Sequence, residues 1–365
     1  MPPRTVTAAG VAQPPGPGAG RPAKVRARAP LRLGLAGGGT DVSPYCDLYG
    51  GVVLNATVDR YCYATLEERD DDRVVLAAPD VDTFEELDAG AGSPEAGTAL
   101  PLHAAVYRRM CQDYSIGSPA LTITTMSDAP AGSGLGSSSA VVVAVVEAFR
   151  EYFSLPLGDY DVARLAYDIE RGDCGLKGGR QDQYAATFGG FNLMEFWAHE
   201  RIIVNPLRLK AAVVQELEAS LVVFHTGASR SSADIIAEQV AHIDNGDQDR
   251  LEATHALRAE ALGMKEALLA GDLHAVAGML GRGWEAKKRI ADGVSTGPIE
   301  EVFAVARAGG ALAGKVSGAG GGGHIMFLVE PTERPRLAVA LAGLGSGEVR
   351  PIHFVDEGAV AWTVQ

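Results

Sequence analysis

Long apolar runs are missing from this chain of 365 residues. Nothing approaches the roughly 20 consecutive apolar residues that a helix needs to cross a bilayer, so no membrane segment is expected. The N-terminus carries basic residues without an apolar stretch behind them, which argues against a secretory signal. Cysteine is scarce: Cys46, Cys62, Cys111 and Cys174 are scattered, with no Cys-x-x-Cys pair. That spacing suits neither a disulfide framework nor a zinc site and predicts reduced thiols in a cytoplasmic protein. The eight histidines include no His-x-x-x-His pair, so zinc is not expected there either. Basic residues are outnumbered, 32 against 46 acidic, for a net charge of −14. A nucleic-acid binder would need a basic face, and none is offered. A phosphorylated ligand is not excluded, because the field at a site can oppose the overall sign.

What remains is an ordinary globular composition, 47% hydrophobic and 21% charged, with length for two modest domains. Residues 1–24, rich in Pro, Gly and Ala, read as a disordered leader. Residues 25–205 are expected to form a strand-rich first domain and 206–365 a helix-rich second one. Strands are predicted at Leu31 to Ala36, Val52 to Thr57, Tyr61 to Glu67, Leu121 to Met126, Leu221 to His225 and Ile325 to Val329. Helices are predicted over about 138–153, from Asp161 as N-cap, and over 233–244, 251–270, 273–291, 298–308 and 332–343. Two strands close the chain. The class is α+β, without internal repeats.

Three glycine-rich segments lie at element edges: Leu35-Ala-Gly-Gly-Gly-Thr-Asp41, Pro130-Ala-Gly-Ser-Gly-Leu-Gly-Ser-Ser-Ser-Ala140, and Lys315-Val-Ser-Gly-Ala-Gly-Gly-Gly-Gly-His324. The second runs straight into an apolar helical stretch. Its glycines let the backbone turn tightly and approach a ligand. The helix start adds bare N–H groups and a positive dipole end, which together make an anion site. Gly309 to Lys315 has the spacing of a Walker loop, but Val316 stands where a hydroxyl is needed. A dinucleotide fingerprint fails as well, since no acidic residue follows at the required distance. Glu170 and Asp182 flank the loop in sequence, and two carboxylates in different settings suit one magnesium ligand and one base.

These segments resemble the GHMP-superfamily small-molecule kinases, among them galactokinase, homoserine kinase and mevalonate kinase. Pro130 to Ala140 is similar to their Pro-x-Gly-x-Gly-Leu-Gly-Ser-Ser-Ala signature, with Ser139 as one added serine. Ala29 to Asp41, Leu54-Asn-Ala-Thr57, Gln181 to Phe191 and Gly227-Ala-Ser-Arg230 resemble more narrowly the kinases of D-glycero-α-D-manno-heptose 7-phosphate and their fucokinase-like relatives. The resemblance runs from about residue 25 to the C-terminus. It implies a ribosomal-protein-S5-like first domain, a ferredoxin-like second domain, and ATP and sugar in the cleft between them.

Carried over position by position, the resemblance implies that Pro130, Gly132, Ser133, Gly134, Leu135, Gly136, Ser137, Ser138 and Ser139 wrap the ATP phosphates. Ser138 (or Ser137) and Glu170 would hold Mg²⁺. Asp182 would face the acceptor hydroxyl and accept its proton, with Arg32 beside it. Gly38, Gly39, Thr40 and Asp41 would bind the sugar, and Gly318, Gly320 and Gly321 would shape the site from the second domain. Arg180 stands where relatives often carry Lys. With Lys177 and Arg230 it is a candidate for a phosphate on the sugar. Lys287 and Lys288, on a helix of the second domain, have two readings, a reach to ATP or the sugar phosphate and, the safer one, an exposed basic helix face; Cys174 has no activating neighbour. The expected reaction is ATP-dependent phosphorylation of the anomeric C1 hydroxyl of a sugar or sugar phosphate. No nucleic acid or membrane partner is expected; a homodimer is left open. The rivals are a kinase for a free sugar such as L-fucose, a sugar-responsive regulator without turnover, and a nicotinamide oxidoreductase.

Overall fold

The structure, a computed structural model, describes residues 23–89, 98–227 and 232–364. Residues 1–22 of the expected leader lie outside them. The chain runs through β1 (Lys24–Ala36), α1 (Tyr45–Tyr49), β2 (Gly51–Glu68), β3 (Arg73–Ala78), β4 (Thr83–Asp88), α2 (Pro101–Tyr114), β5 (Leu121–Ser127), α3 (Ser137–Tyr152) and α4 (Asp159–Tyr167). A π-helical turn, Asp168–Asp173, leads to α5 (Gln181–Phe188), β6 (Phe191–Phe196), β7 (Ile202–Pro206), α6 (Ala211–Ser220) and β8 (Leu221–His225). Then come α7 (Ser232–Asp244), α8 (Gln248–Ala270), α9 (Leu273–Ile290), α10 (Gly297–Ala308), β9 (Ala311–Val316), β10 (His324–Val329), α11 (Arg334–Ala342), β11 (Glu348–Arg350) and β12 (Val360–Thr363).

Two sheets organise the fold. The first has the order β12-β1-β2-β5-β3-β4, with β6 added on β2 and β7 on β6; the second is β11-β8-β10-β9. The class is α+β, as expected. Instead of two strands, residues 51–68 make one, because the irregularity falls inside the ladder. Pro30 pairs with Tyr61 and Leu31 with Val58, so Asp59 and Arg60 bulge without ending the pairing. The last strand does not stay with the second sheet: β12 lies antiparallel to β1, Val25 opposite Thr363. Asp161 is not the N-cap of α4. Gly158 is, and Asp161 accepts its N–H from three residues on, at 3.1 Å.

The second sheet is buried on both faces, and its apolar runs show why. Along β8 and β10, Val222, Phe224, Ile325 and Phe327 face a core with Trp284, Phe303 and Leu337. Leu221, Val223, Met326 and Leu328 face the other way, into the core that also holds Leu31, Leu33 and the valines of α3. Strands apolar at every position belong between two layers. Among the described residues no helix is long and apolar enough to cross a membrane.

Helix α3 begins at the glycine loop and buries Glu147, paired with Arg150 at 3.2 Å. Burial pushes the Glu147 carboxyl up to about 7, with Arg150 opposing only in part. The unfolded chain releases this proton first, so stability falls as pH rises from about 4.5 towards 7. Glu147→Gln should therefore exceed the parent in stability by on the order of 1–3 kcal/mol at pH 8 and match it near pH 4. Denaturant titrations at the two pH values check this; equal differences at both would refute it.

Candidate functional site

The glycine loop takes its shape from alternating left-handed residues: φ is +74° at Gly132, +80° at Gly134 and +77° at Gly136. A side chain is disfavoured at each, and the loop wraps the first turn of α3. Ser138 Oγ donates to Glu170 Oε1 at 2.7 Å, and Ser139 Oγ to Oε2 at 2.6 Å. Gln183 Nε2 also donates to Oε2, at 2.6 Å. Arg171 lies 3.4 Å from Oε1, and Glu170 is fully buried. The π-helical turn places Glu170 and Arg171 at the end of α4's course, where a plain α-helical continuation was expected.

Asp182 sits in the first turn of α5, and Arg32 holds it. Arg32 Nε donates to Asp182 Oδ1 at 2.7 Å, and Nη2 lies 2.6 Å from the same oxygen. Nη1 donates to the carbonyl of Gly134 at 2.6 Å. A β-carbon on Gly136 would stand 3.2 Å from Asp182 Cγ. Loop and carboxylate are thus in contact, with one guanidinium spanning both.

The third glycine segment braces the loop from behind. Ser317 Oγ donates to Gly134 O at 2.8 Å, and His324 N to Ser133 O at 3.0 Å. Gly318 comes so close that a β-carbon there would lie 2.9 Å from Gly134 Cα. Lys315 Nζ donates to Gly34 O on β1. Gly318 lines the cleft. Gly320 and Gly321 instead pack on Val294, whose carbonyl accepts Gly321 N at 2.8 Å.

On the opposite wall, the turn after β1 is locked by Thr40, whose hydroxyl donates to Gly37 O and Val52 O, 2.8 Å each. Asp41 is buried at the N-terminus of α5. It accepts Gln181 N and Gly39 N, both at 3.1 Å, and a β-carbon on Gly179 would overlap it. Gly39 and Asp41 line the cleft, and Gly38 offers its carbonyl to Lys287 Nζ at 2.9 Å. Arg171 and Lys177 line it too. Arg180 does not. Its guanidinium turns to Ser43 at 3.1 Å and Asp47 at 3.4 Å and packs over Tyr167. Arg230 lies outside the described residues.

Of the two sequence readings of Lys287, the structure overturns the safer one. Lys287 is buried at the cleft, not exposed on a basic face. Val276, Leu280, Gly283, Trp284 and Ile290 share its buried stripe, and that periodicity was the available signal. Lys288, one residue on, does face outward and pairs with Glu285 at 2.9 Å. Burial pushes the Lys287 ammonium down to about 8, with Asp41 and Asp182 opposing and Arg32 adding to the fall. Lys315 is held well below the usual lysine range by burial, then by Lys287 and Arg32. Burial raises the Cys174 thiol, which suits an inert residue.

Residues 101–190 match the family pattern for the GHMP kinases N terminal domain, and 264–346 that for the GHMP kinases C terminal. The chain is 44% identical to D-glycero-alpha-D-manno-heptose 7-phosphate kinase of Campylobacter jejuni, over 93% of this chain and 99% of that protein. It is similar to a crystal structure described as a D-glycero-D-manno-heptose 1-phosphate kinase from Bacteroides thetaiotaomicron. The TM-score is 0.80 at 46% identity, covering 93% of this chain and 99% of that one. A sugar kinase structure from Campylobacter jejuni, described as putative, superimposes with TM-score 0.78 at 42% identity, covering 94% and 99%.

Gly134→Ala tests the joint between the two glycine segments. The new methyl would overlap Ser317 O and demand a positive φ. We expect a loss of about 1–3 kcal/mol in stability and a fall in kcat/KM on the order of 10²-fold, from misplacing the loop. Unchanged thermal unfolding and turnover would contradict the contact.

Proposed function

Because the chain belongs to the GHMP kinases, we propose that it is an ATP-dependent sugar 1-kinase whose acceptor is D-glycero-α-D-manno-heptose 7-phosphate, giving the 1,7-bisphosphate and ADP. The observation that carries this is the Arg32–Asp182 pair, packed against Gly134 and Gly136 in a cleft where cations prevail. Arg32, Arg171, Lys177 and Lys287 line it against Asp41 and Asp182. Such a wall in a chain of net charge −14 suits a polyphosphate donor together with an anionic acceptor. The same proposal divides the chain near residue 205, with the donor loop in the first unit and Gly318 to Gly323 in the second. It also sets the enzyme in the cytoplasm, where ATP is at hand and unpaired thiols persist.

The terminal phosphoryl group leaves the ADP oxygen and joins the C1 oxygen, while the hydroxyl proton passes to Asp182. Arg32 keeps the Asp182 carboxylate aimed at that hydroxyl and stabilises charge on the moving group, an effect on the order of 10²–10³ in rate. The loop N–H groups at the start of α3 take the donor's phosphate oxygens. Asp41 orients sugar hydroxyls. Mg²⁺ fits the oxygen donors of Ser138 and Glu170, since this ion takes one or two protein carboxylates and completes its shell with phosphate and water. When bound it neutralises donor charge.

A specific observation keeps a second reading open: the Bacteroides structure is described as acting on a heptose 1-phosphate. L-Fucose is the free-sugar alternative. Offered heptose 7-phosphate, heptose 1-phosphate, mannose 6-phosphate, fucose and galactose, the enzyme should release ADP fastest with the first, and ³¹P NMR should place the new phosphate on C1. Turnover confined to another sugar would replace this acceptor. Asp182→Asn should lower kcat on the order of 10²–10⁴-fold with folding intact; near-wild-type turnover would remove the base.

A further inference from the structure

We infer that Lys287, delivered from α9, is the cation that binds the acceptor's own phosphate group and so selects a phosphorylated sugar over a free one. This rests on the acceptor reading above. Among the described residues Lys287 has one hydrogen-bond partner, the carbonyl of Gly38 at 2.9 Å. An ammonium carries three donors, so two are left for a ligand in the cleft it lines. Its neighbours leave its charge undercompensated. Asp182 is engaged by Arg32, and Asp41 by Gln181 and Gly39. Arg32 acts against it.

The other cations of the cleft are differently placed. Arg32 is committed to Asp182 and Gly134. Arg171 pairs with Glu170 and reaches the carbonyls of Lys177 and Gly179, 3.4 Å each. Lys177 is exposed and loses little solvation while it waits. Lys287 alone of the four is a buried ammonium bonded to the acceptor-side turn, Gly38 to Asp41, and not to the donor loop. A buried cation short of partners is costly until an anion arrives.

The anion should also restore the ammonium's ordinary basicity. Burial pushes Lys287 down to about 8, so near pH 8 part of the population lacks this proton. Binding of the sugar phosphate then draws a proton from buffer on to Nζ. Isothermal titration at pH 8, in two buffers of different ionisation enthalpy, reads this uptake directly. Heptose 7-phosphate should bind the wild-type protein with measurable fractional proton uptake; dephosphorylated heptose should bind weakly without it.

Lys287→Met should weaken heptose 7-phosphate binding on the order of 10- to 100-fold and abolish the uptake, with affinity for a non-hydrolysable ATP analogue within about twofold of wild type. Lys287→Arg keeps the charge but does not titrate, so it should recover part of the affinity and none of the uptake. Thermal unfolding of both variants shows that the fold is kept. Wild-type uptake with the ATP analogue alone would assign Lys287 to the donor and overturn the inference. So would equal sugar-phosphate binding by wild type and Lys287→Met. A wild-type protein that ignores every sugar phosphate would overturn the acceptor reading and the inference together.

Discussion

A single carbonyl oxygen, that of Gly134, receives donors from both sheets of the molecule. Arg32 reaches it from β1, and Ser317 reaches it from the loop after β9. The same guanidinium grips Asp182, so the position of one peptide unit fixes that carboxylate, the glycine loop and the brace behind the loop. A planar fork is needed for this. A lysine at position 32 could neutralise the carboxylate but could not hold it and the carbonyl in one plane. Without the cation, Asp182 would oppose any phosphate that entered the loop.

That arrangement needs a stiff support, and the packing provides one. β8 and β10 send alternate side chains into two cores, so neither strand has a solvent face along which to slide. Shifting their register by one residue would exchange every core partner at once. The loops at the ends of these strands, among them Gly318 to Gly323, inherit that rigidity. The close approach of Gly318 on Gly134 is tolerated because neither residue carries a β-carbon.

How much of this was legible in the sequence follows from the range of the interactions. The loop at 130–139, the helix after it, Glu170 and Asp182 were readable because spacing and local chemistry define them. Arg32 was named from a resemblance; its bond to Gly134 joins residues far apart in the chain and has no local signature. For Lys287 the exposed reading was preferred over a reach to the ligands because a lysine suggests solvent, although its stripe of Val276, Leu280 and Trp284 pointed inward. Arg180 was expected at the sugar, yet Asp47 and Tyr167, both distant in sequence, draw it elsewhere. The bulge at Asp59 and Arg60 looked like a strand end because polar residues interrupt an apolar run in either case. The place of Arg171 depends on a π-helical turn, which periodicity does not announce.

The pairing of β12 with β1 has a consequence for biosynthesis. The ribosome delivers β1 well before its edge partner, with more than 300 residues between Val25 and Thr363. Until β12 has emerged, the outer flank of β1 presents bare main-chain donors and acceptors to the surrounding solution, a template for unwanted strand addition. The first sheet is complete only once β12 has been made, so its earliest-made strand waits for a partner encoded beyond the whole second sheet.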